Sequence, residues 1–312
     1  MSSADPSVPA KTKPRSRLRR WTKYFLQVAV LVYLGVAIIM FSIQDKFIFP
    51  GSVTTQGQHD AILAPSTSYD LLSLPTPGGG KVAAIFGKAL QPNGQPISDI
   101  HDCPSVLFFY GNGACMAYCT DIFDHIRRMG ANVIIPEYPG YGMSPGKPSE
   151  SGCYAAADAG YDYLLSRNDI DPKKIIAMGW SLGGGVAIDL ASRRPIAGII
   201  TISAFTSMPD VAHQLIPWLP VSLILKYRFD NQRKLAGISS PILIIHGTQD
   251  ELVPFKMAAK LAAAAKGKAT RYDVDGAGHN DVFDMGGQPL LDQIGKFLKQ
   301  FQPENAPSTS PV

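Results

Sequence analysis

Hydrophobic positions fall into two kinds of pattern along this chain: one long unbroken run near the N-terminus, and many short runs after it. Tyr24 to Ile43 (YFLQVAVLVYLGVAIIMFSI) is 20 residues without a charge. At about 1.5 Å rise per residue it covers the ~30 Å hydrocarbon core of a bilayer. Its apolar side chains occupy every face, unlike a core helix with one buried stripe. The run exceeds the ~7–15 residues of a signal-peptide core and no A-x-A site follows, so an anchor is predicted rather than a cleaved leader. Beyond it, continuous or alternating apolar runs predict strands at Val82–Phe86, Ser105–Tyr110, Asn132–Glu137, Lys174–Gly179, Ile196–Ser203 and Pro241–His246. Thr270–Val274, shorter and more polar, is predicted at a sheet edge. Helical periodicity predicts helices around Ala117–Met129, Tyr154–Arg167, Leu182–Arg193, Phe255–Ala265 and Leu290–Phe301. Strands alternating with helices through short links specify an α/β fold, a mostly parallel central sheet with helices on both faces.

Three stretches stand outside that rhythm. Residues 44–68 form a polar connector with an early aromatic patch, Phe47-Ile48-Phe49-Pro50. Residues 213–240 (with LIPWLPVSLILKYRFDNQRKL) are an apolar and basic insertion between two strands, read either as a helix pair on the core edge or as a small cap over a site. Residues 303–312 are polar and Pro-rich and are expected to be disordered.

Charge sharpens the picture of the N-terminus. The formal net charge is +4, yet residues 1–23 hold seven Lys/Arg and one acid, leaving 22 basic against 24 acidic residues elsewhere. A basic tail on a near-neutral body fits a membrane face and gives no footprint for nucleic acid. The basic residues Arg15, Arg17, Arg19, Arg20 and Lys23 precede the apolar run and only Lys46 follows closely. The positive-inside rule then expects a cytoplasmic N-terminus and a single pass. The body would be periplasmic on a bacterial inner membrane, or luminal or extracellular elsewhere. Four cysteines, Cys103, Cys115, Cys119 and Cys153, match no zinc spacing, and their pairing is left open.

Candidate chemistry centres on Gly179-Trp180-Ser181-Leu182-Gly183, a G-x-S-x-G that follows the apolar run KIIAM and opens a helix. A tight strand-to-helix turn holds such a serine in a strained conformation, and small flanking residues avoid a clash. Partial positive charge at the helix N-terminus favours an oxyanion beside it. A nucleophilic serine needs a base, and the base an orienting acid. His279 follows the last strand and a Gly-rich turn; Asp250 follows PILIIHGTQ. His246, inside a strand end, is read as a structural hydrogen-bonding group; Glu251, Asp281 and Asp284 are weaker candidates for the acid. Oxyanion donors are expected from the backbone N–H of Leu182 and from the Tyr110-Gly111-Asn112-Gly113 loop, with Asn112 as second donor. Gly111, Gly113, Trp180 and Trp218 are the candidate substrate-contacting residues, with Leu219 and Ile224 beside Trp218 as apolar wall.

Together these segments resemble the membrane-anchored α/β-hydrolases that include eukaryotic depalmitoylating serine hydrolases and their bacterial relatives. The matching stretches are QDKFIFPG, the YGNG loop, EYPGYGMSPGKPSE, GWSLGG, SAFTS, LPVSLILKYRFDN, LIIHGTQDELVP and GAGHND. The resemblance implies the α/β-hydrolase fold, Ser181, Asp250 and His279 as triad, and Asn112 with Leu182 as oxyanion donors. Tyr110 departs from the pattern, standing where relatives usually carry a His. The expected activity is hydrolysis of an acyl ester or thioester, small-molecule or lipid-like, with no metal and no organic cofactor. An aminopeptidase-like amide hydrolase and a non-catalytic binding scaffold are the alternatives.

Overall fold

Eight strands make one sheet in the computed structural model: β1 (Asp70–Pro75), β2 (Lys81–Gly87), β3 (Ser105–Phe109), β4 (Asn132–Pro136), β5 (Ile175–Trp180), β6 (Gly198–Ile202), β7 (Ile242–Gly247) and β8 (Ala269–Val274). Their spatial order is β1-β2-β4-β3-β5-β6-β7-β8. β1 and β2 pair antiparallel with each other and β2 with β4; every later pairing is parallel. The sheet is therefore mostly parallel, as its apolar runs predicted. Every residue of β3, β4, β6 and β7 is buried, which is why those runs are continuous and not alternating. β8 closes the edge with a mostly half-exposed pattern, matching its polar composition.

Chain order places a crevice. From β3 the chain moves to β4 on one side, then returns to β5 on the other. Loops leaving β3 and β5 diverge at that reversal, and in open α/β sheets ligands bind at the carboxyl ends of such neighbouring strands.

Helix boundaries differ from the periodicity where capping decides them. The helix expected from Tyr154 begins at Glu150, because the Ser149 hydroxyl accepts the Gly152 N–H at 2.9 Å and caps the first turn. The last helix runs Val282–Lys299 instead of starting at Leu290; Gly287 breaks it at φ 46°, ψ −142°, and Pro289 follows the break. The insertion 213–240 holds the end of the helix Met208–Leu215 and two short helices, Val221–Ile224 and Asn231–Leu235.

The structure describes residues 15–302, in two compact units that divide between Ile43 and Gln44. The helix Arg15–Ile48 holds a segment, Arg19–Ile48, long and apolar enough to cross a membrane, and the apolar window within it buries no residue in the protein. Most of the expected basic tail and all of the tail 303–312 lie outside the described residues. All four cysteines are free thiols, three of them fully buried and Cys103 partly so.

Candidate active site

Ser181 sits between the end of β5 and the helix Leu182–Arg193, with φ 54° and ψ −115°. A side chain rarely occupies that region, so the bend stores strain. Local packing enforces it. A Cβ at Gly179 would overlap the backbone of Gly183 and Gly184, and one at Gly183 would overlap the Phe109 carbonyl at the end of β3. Both outer glycines of the motif are thus fixed by backbone-to-backbone approach, which lets the helix start directly against the sheet. The Ser181 N–H donates to the Ile202 carbonyl at 2.8 Å and ties the bend to the end of β6.

The residues expected to meet this hydroxyl do meet it. His279 Nε2 lies 2.9 Å from Ser181 Oγ, and His279 Nδ1 lies 2.8 Å from Asp250 Oδ2. Asp250 Oδ1 accepts the backbone N–H groups of Leu252 (3.0 Å) and Val253 (2.7 Å). All three side chains are buried. Burial alone would raise the Asp250 carboxyl, but hydrogen bonds from His246, His279 and the Val253 N–H outweigh it and hold the group well below the usual carboxylate range. With Asp250 ionised, Nδ1 of His279 carries a proton and Nε2 presents a lone pair to the serine hydroxyl. Asp281 is occupied elsewhere, accepting the Gly278 N–H at 2.7 Å within the turn.

His246 has the structural role read for it, and a further contact with Asp250 that spacing did not reveal. It is buried, donates from Nε2 to the Val253 carbonyl at 2.8 Å, and puts the same nitrogen 3.3 Å from Asp250 Oδ2. A carbonyl only accepts, so the proton is on Nε2.

Leu182 is the first residue of its helix, where an N–H has no intrahelical acceptor. Gly111 lies against the serine: a Cβ built on it would stand 3.5 Å from Ser181 Cβ. Asn112 follows on the same loop. Gly113 faces open space, with nothing within 4 Å of its Cβ position. Trp180 stacks edge-on against Phe283 at 5.4 Å, so it braces the segment after His279. Trp218 is 57% exposed on the insertion, whereas the neighbouring Leu219 is buried. Tyr110 turns its side chain into the core: its hydroxyl accepts the Tyr138 N–H at 2.9 Å, and the Tyr138 hydroxyl donates to its carbonyl at 3.0 Å. The tyrosine therefore steadies the loop from below.

A second acid supports this loop and was not singled out from the sequence, although an acid closing the apolar strand NVIIP was its signal. Glu137 is fully buried and accepts the Met116 N–H at Oε1 (3.1 Å) and the Met143 N–H at Oε2 (2.7 Å). Burial pushes its carboxyl up to about 7, against the opposing pull of those N–H groups. A group raised in the folded state stabilises below its unfolded value and loses that contribution as pH rises through the folded one. The stability advantage of the wild type over Glu137→Gln should therefore narrow by about 1–3 kcal/mol between roughly pH 5 and pH 8. Chemical unfolding of both proteins at the two pH values measures it; an advantage that widens overturns the assignment.

Comparison with known proteins agrees with the geometry. A family profile described as alpha/beta hydrolase fold matches residues 104–229. The alpha/beta hydrolase domain-containing protein 17B of Xenopus laevis is 35% identical over 233 residues, 72% of this chain and 73% of its own. The chain belongs to the α/β-hydrolase family. An uncharacterized protein of Mycobacterium tuberculosis is 36% identical to this hydrolase over 275 residues, 88% of this chain and 93% of its own. Among solved structures, an esterase of Pyrococcus furiosus superposes with a TM-score of 0.61 at 18% identity, over 78% of this chain and 96% of its own. A puromycin-hydrolyzing peptidase of M. tuberculosis gives 0.59 at 16%, over 78% of this chain and 43% of its own. At such identities these two share the fold with the hydrolase and no more.

Proposed function

We propose that this hydrolase is a membrane-anchored serine esterase or thioesterase acting through Ser181, His279 and Asp250. The observation that carries the reading is the His279 ring bridging Ser181 Oγ and Asp250 Oδ2 at a strained strand-to-helix bend. In the reaction, His279 Nε2 takes the Ser181 proton as Oγ attacks the substrate carbonyl. The tetrahedral oxyanion is held by the backbone N–H groups of Leu182 and Asn112, each worth about 3 kcal/mol in the transition state. The imidazolium, oriented and stabilised by Asp250, protonates the leaving group. Water then repeats the sequence on the acyl-enzyme and returns the free serine.

An acyl chain as substrate is supported by apolar exposure on the segments that follow the strands. Leu215, Trp218 and Leu223 on the insertion, Leu252 after β7 and Met285 after β8 are all exposed. The insertion acts in this reading as a small cap. The segment 24–43 anchors the protein, with the N-terminus cytoplasmic and the hydrolase body on the opposite side of the membrane, where an acyl substrate in or near the lipid reaches it.

Labelling by a fluorophosphonate tests the reading: full-length protein in detergent should label, heat-denatured protein and Ser181→Ala should not. A panel of acyl esters, acyl thioesters and aminoacyl amides then sets the class, with turnover of the first two expected to exceed that of the amides. Absence of labelling in the native protein would sink the proposal; preference for aminoacyl amides would move it to a peptidase.

A further inference from the structure

We propose that the segment that closes and follows the apolar helix, Ile48 to Thr55, is a strap that positions the oxyanion loop. The inference rests on the reading that Asn112 supplies a backbone donor to the substrate. The strap and the loop meet through almost every polar group of Asn112. Its side-chain amide donates to the Ile48 carbonyl at 3.1 Å. Its carbonyl accepts both the Gly51 N–H and the Tyr141 hydroxyl, each at 2.9 Å. Those contacts commit the side chain and the carbonyl, and leave the backbone N–H as the group free of them.

The strap is itself held. Thr55 Oγ1 donates to the Gly51 carbonyl at 2.6 Å and accepts the Gly142 N–H at 3.0 Å. The Gly57 N–H donates to the Gly142 carbonyl. Phe49 is fully buried and stacks edge-on against Tyr227 at 5.0 Å. Gly51 is the contact point. A Cβ there would overlap the Tyr141 ring and stand 2.8 Å from the Asn112 carbonyl oxygen. Only glycine lets the strap approach closely enough to hold that peptide, while Glu137 holds the chain just after the loop at Met116. Ile48 to Thr55 touch no reacting atom; they act through Asn112 and are positioning residues.

A donor aimed at an oxyanion matters in the transition state and little in the ground state, so the strap should govern kcat and leave KM nearly alone. Gly51→Ala in the full chain is expected to lower kcat on the best ester of the panel by about 10- to 100-fold, with KM within about twofold, since losing one oxyanion donor costs about 10²–10³. A trifluoromethyl ketone forms a hemiketal oxyanion with the serine, and its Ki should rise in parallel with the loss in kcat/KM. A merely structural defect reduces the active fraction and leaves that Ki unmoved. Thr55→Val should repeat the effect at about 3- to 10-fold, and Thr55→Ser, which keeps the hydroxyl, should restore wild-type rates.

Wild-type kcat, or a lower kcat with an unchanged Ki, in Gly51→Ala overturns the strap. If Gly51→Ala fails to fold, the Thr55 pair decides: Thr55→Val with wild-type Ki overturns it equally. Because fluorophosphonate labelling and ester turnover of the wild type are measured first, a strap that fails in an active, labelling enzyme leaves the serine-hydrolase reading standing. A wild type that neither labels nor turns over removes both.

Discussion

Ser181→Ala is expected to reduce hydrolysis of the best ester by about a million-fold while leaving the protein folded, because in the proposed mechanism the attacking atom is gone and the remaining partners act only as a unit with it. The same position carries a second, independent expectation about stability. At φ 54° and ψ −115° the strain belongs to the Cβ, which alanine keeps and glycine lacks. Both variants lose the hydroxyl bonded to His279 Nε2, so the comparison between them isolates the bend. Strain at such a residue costs about 1–3 kcal/mol, and glycine gives back about 0.5–1 kcal/mol through its freer unfolded chain. Ser181→Gly should therefore be more stable than Ser181→Ala by about 1 kcal/mol in chemical unfolding. Equal stabilities would mean the serine sits at ease, and ester turnover in Ser181→Ala within about a hundredfold of wild type, far above the residual rate left by binding and the oxyanion donors, would place the nucleophile elsewhere.

Why the bend could be read from the chain and its supports could not is a matter of where each constraint is written. The helix Leu182–Arg193 was bounded correctly at both ends, because a continuous apolar strand, a Gly-rich turn and a helical run follow one another without interruption. Ser181, Asp250 and His279 were legible from their places in the alternation: the first two follow apolar strands, His279 follows the polar edge strand by a Gly-rich turn, and the structure brings the three together at the distances described. The contact of His246 with Asp250, the grip of Glu137 on residues 116 and 143, and the clasp of Asn112 by residues 48 and 51 depend on backbone atoms meeting across distant loops. A carbonyl or an N–H has no signature in a sequence, so such partners emerge only once the sheet order fixes which loops are neighbours. Tyr110 illustrates the converse: a departure from a motif seen in the sequence, whose consequence, a hydrogen-bonded pair with Tyr138, needed coordinates.

Asp250→Asn carries the second large effect, and the environment of that carboxylate dictates how it should fail. Two backbone N–H groups, of Leu252 and Val253, point at Oδ1, so the amide oxygen of an asparagine must take that place. Its NH2 then occupies the Oδ2 position, 2.8 Å from His279 Nδ1 and 3.3 Å from His246 Nε2. Facing a donor, His279 accepts at Nδ1 and carries its proton on Nε2, where the lone pair for the Ser181 hydroxyl is required. The wrong tautomer should lower kcat by about 10⁴ with the geometry intact. His246 meets the same NH2 with its own N–H, a clash relieved only by moving its proton to Nδ1, a buried atom without a partner, and giving up the bond to the Val253 carbonyl. One buried hydrogen bond lost in this way costs about 1–3 kcal/mol. The variant should also change its response to acid. The wild-type carboxylate is held low in the folded state, so its contribution is complete above about pH 4 and fades as pH falls from there toward the folded value. Asparagine cannot titrate, and acid unfolding of the variant should begin from a lower stability with a shallower slope. A variant that keeps kcat within tenfold of wild type would show that the imidazole finds its tautomer without Asp250, and the acid of the triad would have to be sought among other groups.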